Sequence, residues 1–65
     1  MSQISAVRMA RVVAEVTGDK VRADGDSLLV DPVSVSIAAR AHLANNGWIP
    51  TGSVEEFRVY THVTA

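Results

Sequence analysis

Residues 20–47, reading KVRADGDSLLVDPVSVSIAARAHLANNG, constrain the fold more than any other stretch. Asp24-Gly25 separates Val21-Arg22-Ala23 from Asp26-Ser27-Leu28-Leu29-Val30. A two-residue type I′ loop needs positive φ at both central positions, which Asp tolerates and Gly adopts freely, so Asp24-Gly25 predicts a tight hairpin. Leu28 and Val30 then share one strand face and Leu29 takes the other; Val21 and Ala23 opposite them give the hairpin an apolar face.

Asp31-Pro32 follows at once and predicts a helix over residues 32–46. An Asp carboxylate accepts backbone N–H groups of a first turn, and Pro at the first helical position forfeits no needed donor. Val33, Ile37, Ala41 and Ala44 recur at helical spacing, with Trp48 continuing the stripe and Leu43 extending it, while Ser34, Arg40 and Asn45 stay wet. Gly47 after Asn45-Asn46 is a normal stop.

Upstream, Ser2 or Ser5 can cap a first helix. Met9, Val12, Val13 and Val16, with Ala6 one turn earlier, keep helical spacing over residues 5–16. Arg11 and Glu15 lie four apart on the opposite side, and Gly18 supplies the stop. The valine content of residues 12–17 leaves a strand there as the open alternative. Downstream, Pro50-Thr51-Gly52 reads as a turn. Ser53-Val54-Glu55-Glu56 has the form of a capping box, but Phe57, Val59, Thr61 and Val63 alternate with Arg58, Tyr60 and His62, which predicts a strand over residues 56–63. The expected class is α+β, ordered helix–strand–strand–helix–strand. It has a small three-stranded sheet with the helices packed on one face, and the last strand is an exposed edge over residues 57–63.

Sixty-five residues make one small domain, 1–65. A chain this short buries only ~60% of its unfolded surface, so such domains often need a staple. There is no cysteine, and the two histidines, His42 and His62, are too few for a metal cage. Self-association is the remaining staple, and a hydrophobic content of 48% suits a buried subunit face. With six basic and seven acidic residues the chain lacks the cationic excess that binding phosphate requires. No apolar run approaches a membrane span and no signal-peptide pattern opens the chain, so a soluble, cytoplasmic protein is expected.

Little here suggests catalysis. His42 can be drawn as a dyad with Asp31 or Glu55, yet no nucleophile elbow or telling carboxylate pair accompanies it. Asp19, Asp24 and Asp26 do not fit a calcium loop, and turn chemistry accounts for them. The four glycines are too dispersed to cradle phosphate. Trp48 is either a binding hot spot or a side chain packed across the sheet. A winged-helix DNA binder also joins helices to a hairpin, but its wing should be basic. Here the tip is Asp24-Gly25-Asp26, and only Arg8, Arg11 and Arg22 offer a patch.

Gly18 after a first helix, Val21 on a strand, Asp24-Gly25-Asp26 at the turn, Leu28-x-Val30 and a second helix after Pro32 together resemble the TubC-type docking domain. That helix–hairpin–helix module stands at the N-termini of some nonribosomal peptide synthetase subunits. The resemblance covers residues 5–44 and implies a dimer whose hairpin captures a partner peptide by adding a strand. Val21, Arg22, Leu28 and Val30 would form the docking edge. The second helix lacks that family's basic end, and the chain runs on into Trp48 and a further strand. In size and composition the chain also looks similar to accessory proteins of actinobacterial phages, many of which bind a host or phage protein.

The expectation is a non-enzymatic, homodimeric protein-binding module without cofactors. It would hold another protein by strand addition or through a hydrophobic face. Arg58, Tyr60 and His62, on the outer face of the last strand, and Trp48 are further contact candidates. A small winged-helix DNA-binding regulator is the alternative.

Overall fold

The computed structural model describes residues 5–63. The elements are α1 (Ala6–Thr17), β1 (Arg22–Asp24), β2 (Ser27–Val30), α2 (Ile37–Asn45), β3 (Trp48–Val54) and β4 (Phe57–His62). The class is α+β as expected, but the sheet has four strands, all antiparallel, in the order β1-β2-β4-β3.

Helix α1 forms where its apolar spacing predicts one, so the strand alternative at residues 12–17 is set aside. Ser5 Oγ accepts the Arg8 N–H at 3.3 Å. Gly18, at φ +82, closes the helix by donating its N–H to the Ala14 carbonyl. Ala6, Met9 and Val13 are buried, and Val16 at the end of the stripe is exposed.

The first hairpin is offset by one residue from the sequence expectation. Asp24 pairs with Ser27, so Gly25 and Asp26 are the central turn residues. Of these only Gly25 has positive φ, the pattern of a type II′ turn rather than I′. Ala23 faces Leu28, so the apolar hairpin face survives the offset.

The second helix differs more. Asp31 does cap a turn: its Oδ1 accepts the Val33 N–H at 3.0 Å, and its carbonyl accepts that of Val35 at 3.0 Å. That turn is not continued. Ser36 is extended and caps the helix proper, its Oγ accepting the Ala39 N–H at 3.1 Å. The helix thus starts at Ile37 instead of residue 32. Starting it there turns the expected stripe outward: Ala39 and Leu43 are buried, while Val33 and Ile37 are 92% and 84% exposed, and Ala41 and Ala44 are exposed too.

Strand β3 replaces the expected turn at residues 50–52. Pro50 lacks an N–H and is confined to sheet edges and bulges; β3 provides both, with a register shift between Pro50 and Gly52. The capping box at residues 53–56 is instead a hairpin turn, Val54 pairing with Phe57 across Glu55-Glu56. With β3 in place, β4 lies between β2 and β3, so the expectation that residues 57–63 form a free edge is overturned.

Both helices cover one face of the sheet. Ala6, Met9, Val13, Ala39 and Leu43 meet Leu28, Val30, Trp48 and Tyr60 in a single core. Each large side chain there contributes roughly 1.5–3 kcal/mol by leaving water. Strand alternation sends Leu29, Ile49, Val54, Phe57 and Val59 to the opposite face, which no helix among the described residues covers.

Candidate interaction surfaces

The residues singled out in the sequence do not converge. Leu28 and Val30 lie in the core, on an interior strand, and their side chains offer nothing to a partner. Val21 is half-buried against the core, and Arg22 projects from β1 on the uncovered sheet face. β1 does have a free edge, but it is three residues long. The other edge, β3, carries Pro50 and a bulge, two devices that discourage strand addition.

Trp48 is a core residue, its ring meeting that of His62 edge-on at 5.3 Å and 80°. Its buried Nε1–H has no hydrogen-bond acceptor among the described residues. Arg58, Tyr60 and His62 lie on the helix-covered face, not the outer one. The register puts Tyr60 beside Leu28, and Tyr60 is only 8% exposed. His62 is half-buried, and its ring stands 2.9 Å from where a Cβ on Gly47 would lie. Gly47 itself has φ +84, so both backbone conformation and close approach require glycine there.

Asp31 directs its carboxylate to Val33, and no hydrogen bond or ion pair joins it to His42. Among the described residues no group of three or more His, Asp or Glu is placed to hold a metal. Nor do the arginines form one patch. Arg8 and Arg11 are exposed on α1, whereas Arg22 lies on the other side of the sheet, next to the acidic Asp24-Gly25-Asp26 tip.

Asp19 has a role that turn chemistry alone does not explain. Its Oδ2 accepts the Ser36 backbone N–H at 3.0 Å and the Ser36 hydroxyl as well, tying the α1–β1 loop to the start of α2. These bonds, the side-chain one foremost, hold its carboxyl below the usual range against a smaller opposing effect of desolvation. Sequence spacing gives no sign of a contact across 17 positions.

Two apolar surfaces are left without a partner among the described residues. One follows α2: Ile37, Ala41 and Ala44 run along the side opposite Ala39 and Leu43, so this helix is apolar on both sides, and Val33 is exposed in the turn before it. Such a helix ordinarily has both sides covered. The other is the outer sheet face, where Ile49 and Val54 are 43% and 48% exposed and Leu29, Phe57 and Val59 are half-buried. Beside the α2 stripe, Val30, Pro32, Val35, Arg40, Arg58 and Tyr60 line a cavity of about 160 Å³. Among the described residues no helix is long and apolar enough to cross a membrane. No family model matches the chain, and no curated protein or solved structure matches it.

Proposed function

We propose that this chain is a non-enzymatic protein-binding module that docks a partner on the outer side of α2. The observation that carries the reading is the exposed apolar side of α2: Ile37 is 84% exposed, Ala41 and Ala44 are exposed beside it, and Val33, 92% exposed, stands in the turn before the helix. An isolated exposed valine needs no explanation; an uncovered apolar helix side does. Docking through a hydrophobic face is better supported than strand addition, because one free edge is short and the other is interrupted by Pro50 and its bulge.

A second copy is the proposed occupant of the outer sheet face, at the opposite side of the molecule. A standard interface takes ~800 Å² per partner, under a fifth of the 4337 Å² surface. The chain is a slab of 33 × 24 × 16 Å, whose broad faces have that footprint. Arg22 borders this face on β1 and Glu55 lies at the β3–β4 turn on the far rim. Face-to-face pairing can therefore bring unlike charges together.

The test of docking is parallel affinity recovery from the source cell's lysate with wild type and Ile37→Asp. Since Ile37 is 84% exposed, this substitution is expected to change stability by no more than about 0.5 kcal/mol. A protein recovered by wild type and lost with the variant supports the reading. Recovery that ignores Ile37, or that nuclease abolishes, refutes it, the latter in favour of a DNA-binding regulator.

A further inference from the structure

We infer that the cavity beside the α2 stripe is a carboxylate-binding site, and that it receives an Asp or Glu side chain of the docked partner. The partner half of this inference rests on the docking reading above.

The argument begins with charge. The chain as a whole is net negative, yet Arg40 and Arg58 line this cavity and no carboxylate among the described residues lines it with them. Arg40 reaches it from α2 and Arg58 from β4, so two remote parts of the sequence bring like charges to one place. Like charges gathered without a counter-ion raise the energy of the empty site. A bound anion removes that penalty.

The hydrogen-bonding state of the two guanidinium groups agrees. Arg40 spends one N–H on the Pro32 carbonyl at 3.2 Å, a contact that orients it and leaves four further donors. Arg58 makes no hydrogen bond or ion pair with any described residue, and neither does the Tyr60 hydroxyl. The donor set facing the cavity is thus a fork geometry suited to two coplanar oxygens, with a phenol beside it.

Shape selects the rest of the ligand. Val30, Pro32, Val35 and the buried ring of Tyr60 provide apolar walls. The volume, about 160 Å³, is close to the ~150 Å³ of an engineered cavity that takes benzene. This accommodates the short aliphatic stem of an acidic side chain and is below the ~300 Å³ where drug-sized ligand pockets begin. The place fits as well: Arg40 is one turn from Ile37 and Ala44, on the flank of the exposed stripe. A segment lying on that stripe has the cavity within reach of its own side chains.

The experiment is a titration of the full isotope-labelled chain, followed by NMR at fixed ionic strength. The probe is glutamate blocked as its N-acetyl and N-methylamide derivative, with blocked glutamine, butyrate and inorganic phosphate as comparison probes. The expected result is a saturable shift at residues 40, 58 and 60 with the glutamate probe in the millimolar range. Blocked glutamine should give none, and Arg58→Gln should weaken the binding by about tenfold or more. Arg58 is exposed, so that variant should retain its fold; unchanged circular dichroism checks this. Absence of a saturable shift, equal shifts with glutamine, or an unaltered response in Arg58→Gln overturns the site. Tighter binding of butyrate or phosphate than of blocked glutamate overturns the partner assignment by making the cavity a small-acid or phosphate site. The readout is local and needs no partner, so its failure leaves Ile37-dependent recovery standing, and the reverse also holds.

Discussion

Single side chains decide where this backbone turns. Gly47 joins α2 to β3 with φ +84 and lies against His62. Gly47→Ala should therefore lose the ~1–2 kcal/mol that a left-handed alanine costs, plus a steric part. Thermal unfolding should show a drop of several degrees, and adding His62→Ala should restore only the steric part. Glu55 presents the opposite case. It is the one non-glycine residue among those described with positive φ, +56, at the first central position of a two-residue turn, where the II′ pattern takes Gly. Glu55→Gly relieves the left-handed cost of ~1–2 kcal/mol against glycine's greater unfolded-state entropy. It should raise stability by about 0.5–1 kcal/mol in chemical denaturation. The same residue hid the second hairpin: a Glu-Glu turn carries no hairpin signature, and Ser53-x-x-Glu56 imitates a helix start.

At the scale of elements, legibility followed the number of signals that agreed. In α1 the cap, the stripe and the terminal glycine agreed, and the helix lies where they put it. In β2 alternation and the hairpin placed Leu28 and Val30 on one face correctly, although the turn was offset by one residue. In α2 they conflicted. Asp31-Pro32 is a sound start for a turn, but two β-branched residues, Val33 and Val35, follow it. The Ser36 cap is supported by Asp19, a contact between residues 17 apart that no local pattern contains. The stripe was legible; the side it faces was not, because periodicity gives spacing without direction. Pro50 and Gly52 obscured β3 for a similar reason, since a bulged edge strand and a turn use the same residues. Of the surfaces proposed here, the sequence supplied the apolar positions but not the pairing of Arg40 with Arg58.

The Asp19–Ser36 tie carries its own prediction at this scale. The carboxyl of Asp19 is held below its unfolded value near 3.8, so its contribution is complete above that pH. It is lost as pH falls through the lower folded value. Asp19→Asn cannot titrate, so its stability should fall less steeply below pH 4 than that of wild type. Ser36→Ala removes the cap and the hydroxyl part of the tie while leaving its backbone N–H bond to Asp19, and should cost about 0.5–2 kcal/mol at neutral pH. Denaturant titrations at several pH values check both.

For the molecule as a whole, the open sheet face makes oligomeric state the measurable quantity. Val59 sits in the middle of that face, between Leu29 on β2 and Gly52 on β3. If a second copy covers it, sedimentation should show a dimer at micromolar concentration and a monomer for Val59→Glu. Ile37→Asp, on the other side of the molecule, should leave the dimer intact. A wild-type monomer at high concentration would remove the second copy from the proposal.

The order β1-β2-β4-β3 also bears on how the chain is made. One of its two interior strands, β4, is the last of the four to be synthesised. A nascent polypeptide that has emerged only as far as residue 56 carries the β1–β2 hairpin and half of the β3–β4 one, and leaves Leu28 and Val30 without Tyr60 in the core beside them. The four-stranded sheet cannot close before Phe57–His62 is free to pair, so ribosome-bound chains should remain protease-sensitive until that segment has cleared the exit tunnel.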